Sequence, residues 1–217
     1  PEFFRVKSAK LLVVDIKSRG NHLSTGFLGT PYLCHVLSNN GYTDVAYDLL
    51  LQKTYPSWLY PVTMGATTIW ERWDGQKPDS TFQDKGMNSF NHYAYGAIGD
   101  WMYRVSAGLD TKTPGYRHLL FQPHPTEQLT HSTASFESSY GHTQSGWERK
   151  DGKILVKVVV PPNAKASVVL PTQDADKIMI EDRSITENEN IRNIRNNDNK
   201  VTFDVGSGSY LFEYVEE

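Results

Sequence analysis

The chain has 217 residues, of which 22 are basic and 25 acidic, for a net charge of −3. That length can bury one large core or two ordinary ones, and so even a charge balance leaves no electrostatic footprint for nucleic acid or an anionic membrane, so neither partner is expected. No apolar run approaches the length of a bilayer span, no signal-peptide pattern opens the sequence, and the single cysteine, Cys34, excludes an internal disulfide.

The chain starts at Pro1 rather than an initiator methionine and enters a helical pattern almost at once, which reads as a fragment or a processed chain. Leu11, Leu12, Val14 and Asp15 flank one turn of this first helix. Thr30-Pro31 offers a second helix an N-cap with proline at its first position, and that helix should stop near Gly41. Cys34 lies among Leu33, Val36 and Leu37, so packing rather than reactivity is expected of it. Thr43 can cap a third helix, with Val45, Ala46, Leu49 and Leu50 in one buried stripe. Ser89 can cap a longer one through Phe90, Ala94, Ala97, Trp101 and Val105. Between these last two runs a long connection, Thr54 to Asn88. Its Tyr55, Trp58, Tyr60, Trp70 and Trp73 argue against disorder, and connections of this size are usually functional.

From about His118 the hydrophobic period becomes two. Trp147 to Lys150 and Lys153 to Val158 flank Asp151-Gly152, a strong hairpin signal, and His131 and His142 fall on the expected surface. Val201, Phe203 and Val205 alternate before Gly206-Ser207-Gly208 turns the chain into Tyr210, Phe212 and Tyr214. This half is predicted to be an antiparallel β-sandwich, with the Asn-rich stretch Asn188 to Asn199 as a solvated loop.

One short stretch of the connection concentrates chemistry. In "TTIWERWDG", Glu71 stands between Trp70 and Trp73 beside Arg72, a mixture too polar for a core and too aromatic for an ordinary surface. Glu71 is either a salt-bridged surface glutamate partnered by Arg72 or a carboxylate in a partly wet cleft. Sugars present an apolar C–H face and a rim of hydroxyls, so their sites combine flat rings with carboxylates and imidazoles. For Trp58, Trp70 and Trp73 taken one by one, packing is the stronger reading, because indoles supply so much core area. His92, in "SFNHYAYG", lies close enough to the connection's end to reach such a cleft. The glycines around His22 fit neither a Walker loop nor a dinucleotide fingerprint, and the histidines form no compact metal-ligand spacing, so neither phosphate nor metal is expected.

Three runs, "HLSTGFLGTPYL", "LLLQKTYPSWLYPVTMGATTIWERWDG" and "SFNHYAYGAIGDWMYRVSAGL", resemble the C-terminal part of bacterial α-L-rhamnosidases, the glycoside hydrolases of family 78, and "GYRHLLFQPHP" continues the resemblance more loosely. The resemblance implies the last helices of a catalytic (α/α)6 barrel over residues 1–112, then a C-terminal β-sandwich over 113–217. It also implies a bacterial source, with the compartment, periplasmic or cytoplasmic, left open, a rhamnose-containing glycoside or polysaccharide as substrate, inverting hydrolysis, and no cofactor. Glu71 matches the family's general base and His92 a sugar-contacting histidine; Trp58, Trp70 and Trp73 stay candidates for the aromatic lining on their ring chemistry alone.

An inverting enzyme also needs an acid on the opposite side of the bond, about 6.5–9.5 Å from the base. The family's acid belongs to an earlier motif with no counterpart before Glu71, and four helices fall short of a full barrel. The expectation is therefore a C-terminal fragment that is silent without the upstream part of its own chain. Other readings remain open: an inverting (α/α)6 glycosidase for a different sugar, or a non-catalytic carbohydrate-binding or structural module.

Overall fold

The computed structural model describes residues 2–197 and 199–215. It divides into two compact units, one up to Trp101 and one from Met102 onward.

The first unit is helical at its start. Helix α1 (Glu2–Ser18) buries Ala9, Val13 and Ile16 on one stripe and turns Leu11 and Val14 outward, 58% and 57% exposed. The inward face is thus the one opposite to Leu11 and Val14. Helices α2 (Thr30–Asn39) and α3 (Thr43–Leu51) are joined by a short turn in which Gly41 takes φ 82°. They pack on each other through Leu33, Cys34 and Leu37 against Val45, Ala46, Leu49 and Leu50. Burial pushes the Cys34 thiol up to about 12, the condition of a packed and unreactive cysteine. The two threonines expected as caps lie just inside the helices, whose N-caps are Gly29 and Tyr42; the Thr30 hydroxyl donates instead to the Gly26 carbonyl at 2.9 Å.

The long connection contains one short helix, α4 (Leu59–Thr63), and an isolated bridge between Gln76 and Phe82. The helix expected from Ser89 does not start there. A tight 3₁₀ turn occupies Ala94–Ala97, followed by α5 (Ile98–Trp101) and, in the second unit, a π turn over Met102–Ser106. Ser89 spends its hydroxyl on the Asn91 N–H at 3.1 Å, and the surrounding backbone is committed to the segment around Ile69. A side-chain-to-backbone turn of this kind competes with helix.

The second unit is a sandwich. Its strands are β1 (Leu109–Thr111), β2 (His118–Phe121), β3 (His131–Ser138), β4 (Gly141–Lys150), β5 (Lys153–Val160), β6 (Lys165–Leu170), β7 (Met179–Ile180), β8 (Arg183–Ser184), β9 (Arg192–Asn197), β10 (Lys200–Val205) and β11 (Gly208–Val215). One sheet runs β1-β2-β6-β10-β9 and the other β3-β4-β5-β11-β7-β8. Every pairing is antiparallel except β2 with β6, so the first sheet is mixed.

The core between the sheets joins Leu119, Val168 and Phe203 to Val156, Val158 and Phe212, with the Phe203 and Phe212 rings edge to face at 4.9 Å. Buried polar groups close on the chain entering the sandwich: Trp147 Nε1 donates to the Ser106 carbonyl at 2.9 Å and Ser145 Oγ to Ala107 at 2.7 Å. The Asp151-Gly152 hairpin forms with both residues at positive φ, as its two-residue turn requires.

Two expectations need correction. The Gly206-Ser207-Gly208 turn does not make a hairpin, because β10 and β11 belong to different sheets; β11 pairs along its whole length with β5. Within the Asn-rich stretch, 188–191 lie outside any strand and Asp198 lies outside the described residues, while Arg192–Asn197 form a strand, β9, along one edge. Its exposed Asn and Arg side chains give no apolar alternation, which is how an edge strand avoids pairing with another molecule.

Candidate active site

The segment leading to Glu71 lies beside the segment leading to His92. The Glu71 N–H donates to the Ser89 carbonyl at 2.9 Å, the His92 N–H donates to Ile69 at 2.8 Å, and the Thr68 hydroxyl donates to Phe90. This short antiparallel contact brings the two sequence-predicted residues onto neighbouring stretches. It also explains why no helix starts at Ser89.

The Glu71 side chain turns back on the same partner. Its Oε2 accepts the Ser89 N–H at 2.8 Å, which fixes the carboxylate plane and leaves the other oxygen without a protein donor among the described residues. Arg72 is not its counter-ion: Arg72 Nε reaches Asp74 at 3.5 Å, and Gln83 donates to the second Asp74 oxygen. Glu71 is half-buried and therefore reachable by solvent.

Around this carboxylate the rings form one continuous series. Trp73 stacks on Tyr95 with centroids 3.7 Å apart and meets Trp58 edge-on at 5.5 Å. Tyr95 touches Phe27 at 5.0 Å, and Phe27 stacks on His92 at 4.8 Å and 16°. Trp58 Nε1 donates to the Tyr95 carbonyl at 2.9 Å, locking the series from beneath. The Tyr95 phenol is pushed up by burial, with Arg72 opposing the shift and Tyr55 and Glu71 adding to it.

Of the three tryptophans, Trp58 and Trp70 are buried while Trp73 is half-buried, and all three line a small apolar cleft with Ile69 and Tyr95. Trp70 rests edge-on against Phe90 at 4.9 Å and close to Gly75, where a Cβ would stand 3.1 Å from the indole and 2.8 Å from Asn88 Oδ1. The Asp-Gly step after Trp73 is thus a close approach that a side chain would block.

His92 Nδ1 accepts from the Ala94 N–H at 3.4 Å. That role assigns the ring proton to Nε2, which can donate outward. His22 plays a different part, bridging the Arg19 carbonyl and Thr54 Oγ1 at 2.8 and 2.7 Å. Among the described residues no three His, Cys, Asp or Glu side chains form a group able to hold a metal.

Phe27 and Tyr95 were not among the candidate site residues, and Ser89 was read only as a helix cap. Phe27 sits in the glycine-rich run weighed only for phosphate, and Ser89 acts through its backbone, which no side-chain pattern reveals.

Comparison with known proteins gives this geometry a context. Residues 4–105 match the family model described as the bacterial alpha-L-rhamnosidase 6 hairpin glycosidase domain, and residues 108–184 match the bacterial alpha-L-rhamnosidase C-terminal domain. An alpha-L-rhamnosidase from Streptomyces avermitilis is 43% identical over 98% of this chain, and one from Formosa agariphila is 41% identical over 93%. The chain spans about a fifth of the length of these curated relatives, 20% and 22% respectively.

Among solved structures, the Streptomyces avermitilis enzyme complexed with L-rhamnose matches with a TM-score of 0.90 over 98% of this chain and 20% of its own. The alpha-L-rhamnosidase from Aspergillus terreus matches with a TM-score of 0.83 at 34% identity, over 97% of this chain and 22% of its own. With the two family models meeting near the junction of its helical and sandwich units, the chain belongs to the bacterial α-L-rhamnosidase family.

Proposed function

We propose that the polypeptide carrying this chain is an inverting α-L-rhamnosidase, with Glu71 as the general base and His92 as a donor to a hydroxyl of the bound sugar. The observation that carries this reading is the fixed, half-buried carboxylate of Glu71, one oxygen held by Ser89 and the other open, beside a series of rings that includes His92. The Streptomyces relative is described in complex with L-rhamnose, which supports rhamnose as the sugar.

In this mechanism the open oxygen of Glu71 takes a proton from water as the water attacks the anomeric carbon, while a second carboxylic acid protonates the departing oxygen. Trp73 lines the sugar, with Trp58 and Trp70 packed behind it. The acid is not Asp74, whose two oxygens are engaged by Arg72 and Gln83. It belongs to the remainder of the polypeptide. We expect that remainder also to cover Leu11 and Val14, which α1 turns outward.

The test is hydrolysis of an aryl α-L-rhamnoside. The intact polypeptide is expected to turn it over and to release β-L-rhamnose first, as followed by NMR of the anomeric proton; the 217-residue chain by itself is expected to be silent. Initial release of the α anomer would exclude inversion, and turnover of a different aryl glycoside in preference would move the assignment to another sugar. Binding of rhamnose without turnover by the intact polypeptide would make it a binding module. Robust hydrolysis by the isolated chain would place a second acid within it.

A second expectation concerns His92→Ala in the intact polypeptide. Loss of one hydrogen bond to a sugar hydroxyl should lower kcat/KM by about tenfold to a hundredfold, from the cost of leaving its partner unpaired. His92→Ala also removes half of the Phe27 stack, so Phe27→Leu serves as the control: it disturbs the packing and keeps the donor. An unchanged kcat/KM in His92→Ala removes the histidine from the site.

A further inference from the structure

Far from Glu71 in the sequence, the first sheet of the sandwich holds a polar cluster that the rhamnosidase reading does not use. Ser167 on β6 is almost fully buried, and its hydroxyl meets three partners: Lys112 Nζ at 2.9 Å, His118 Nε2 at 3.0 Å and Asp204 Oδ1 at 2.6 Å. The Lys112 ammonium can only donate, so the hydroxyl accepts there and donates to Asp204. The other Asp204 oxygen accepts from Asn193 Nδ2 at 2.8 Å.

Asn193 reaches that oxygen because β9 bulges beside β10, where the register shifts between Thr202 and Asp204, and Asn193 itself takes φ 55°. Bulges of this kind re-aim a side chain at the cost of a local ladder bond. The network holds Asp204 ionised: its pKa is lowered by Ser167, Asn193 and the Lys112 charge against the opposing effect of burial.

This fixed acid forms one wall of a cleft of about 430 Å³ that is also lined by Lys165, Asn190, Arg192 and Tyr210. Its size suits a small ligand. Lys165 and Arg192 have no ion-pair partner among the described residues. Two cations without an ion-pair partner among the described residues therefore face the same space as one acid that the Lys112 charge already stabilises. The Tyr210 ring stacks in parallel with Phe212 at 5.9 Å, and its hydroxyl donates to the Gly206 carbonyl at 3.2 Å, so it is held in place.

We propose that this cleft binds a saccharide bearing a carboxylate, such as a uronate unit. The two cations attract an anion. Asp204 selects against a compact, multiply charged one, since it would repel phosphate while its spare lone pairs accept sugar hydroxyls. Asn190 offers both a donor and an acceptor, and Tyr210 offers an aromatic body. A singly charged carboxylate with hydroxyls around it satisfies all of these groups together.

The test is titration of the full chain with D-glucuronate, D-glucose and inorganic phosphate, following the backbone amide resonances of residues 190–193 and 204–210. Glucuronate should shift these resonances saturably, and glucose should bind at least about tenfold more weakly for want of the charge-assisted bonds. Lys165→Gln and Arg192→Gln, both at exposed positions, should each weaken glucuronate by about tenfold while leaving the thermal midpoint unchanged. The proposal is overturned if phosphate binds as tightly as glucuronate, if glucose does, if neither variant matters, or if no resonance saturates at high millimolar ligand. Because no rhamnoside turnover enters the readout, failure here leaves the assignment of Glu71 unaffected.

Discussion

Glu71→Gln in the intact polypeptide should lower kcat on an aryl α-L-rhamnoside by about 10²–10⁴-fold with little change in KM, the range expected when a positioned proton acceptor is removed. The substitution is clean because of how Glu71 is held. The bond from the Ser89 N–H at 2.8 Å can be accepted by the glutamine carbonyl as well as by a carboxylate, so the side chain keeps its orientation. What disappears is the basic oxygen that takes the proton from water. Asp74 cannot substitute, being tied to Arg72 and Gln83. Glu71→Ala makes a useful second variant, since it also frees the Ser89 amide and should disturb the contact with the segment carrying His92. A kcat within tenfold of the parent's in Glu71→Gln would remove Glu71 from the base's role, whatever Glu71→Ala does.

Patterns that depend on near neighbours in the sequence were legible from it. The stripe Val45, Ala46, Leu49, Leu50 is buried as its spacing predicts, and Asp151-Gly152 makes the hairpin that its dihedral freedom permits. What escaped depends on partners distant in the chain. Ser89 has the composition of a helix cap, but its backbone pairs with Glu71, a residue that no window around it contains. Likewise Gly206-Ser207-Gly208 has the composition of a hairpin turn, and only the pairing of β11 with β5 shows that the chain changes sheets there. The strand β9 was hidden for a different reason: an edge strand with solvent on most sides carries no apolar alternation to detect.

The candidate site divides in the same way. Glu71 and the tryptophans drew notice because a carboxylate between indoles is costly wherever it is placed. Phe27 did not, because a single phenylalanine among glycines is unremarkable until its ring is found 4.8 Å from His92. Family resemblance supplied what local chemistry could not, since the three matching runs are the segments that supply Phe27, Glu71 with Trp58 and Trp73, and His92 with Tyr95.

The largest expected effect on stability is at Gly108, and a second glycine isolates its cause. Gly108 and Gly152 both adopt φ 76°, so alanine at either position pays the same backbone penalty, on the order of 1–2 kcal/mol for a left-handed residue with a Cβ. Their surroundings differ completely. At Gly152, in the turn between β4 and β5, a Cβ meets nothing within 4 Å. At Gly108 it would lie 2.1 Å from the backbone nitrogen of Pro123 and 2.3 Å from the carbonyl carbon of Gln122. Neither is the tip of a flexible side chain, so relief requires two backbone segments to separate. That movement would break the bond from the Gln122 N–H to the Gly108 carbonyl, 2.9 Å long, and draw the buried Ala107 and Leu109 away from the core that they share with Phe121. Gly108→Ala should therefore cost about 3–5 kcal/mol, the level of a severe core lesion, against about 1–2 kcal/mol for Gly152→Ala. Urea unfolding of the sandwich, followed by the backbone amide resonances of β5 and β11, measures both. Equal losses in the two variants would show that the close approach to Pro123 is relaxed at no cost and that the dihedral alone sets the requirement for glycine.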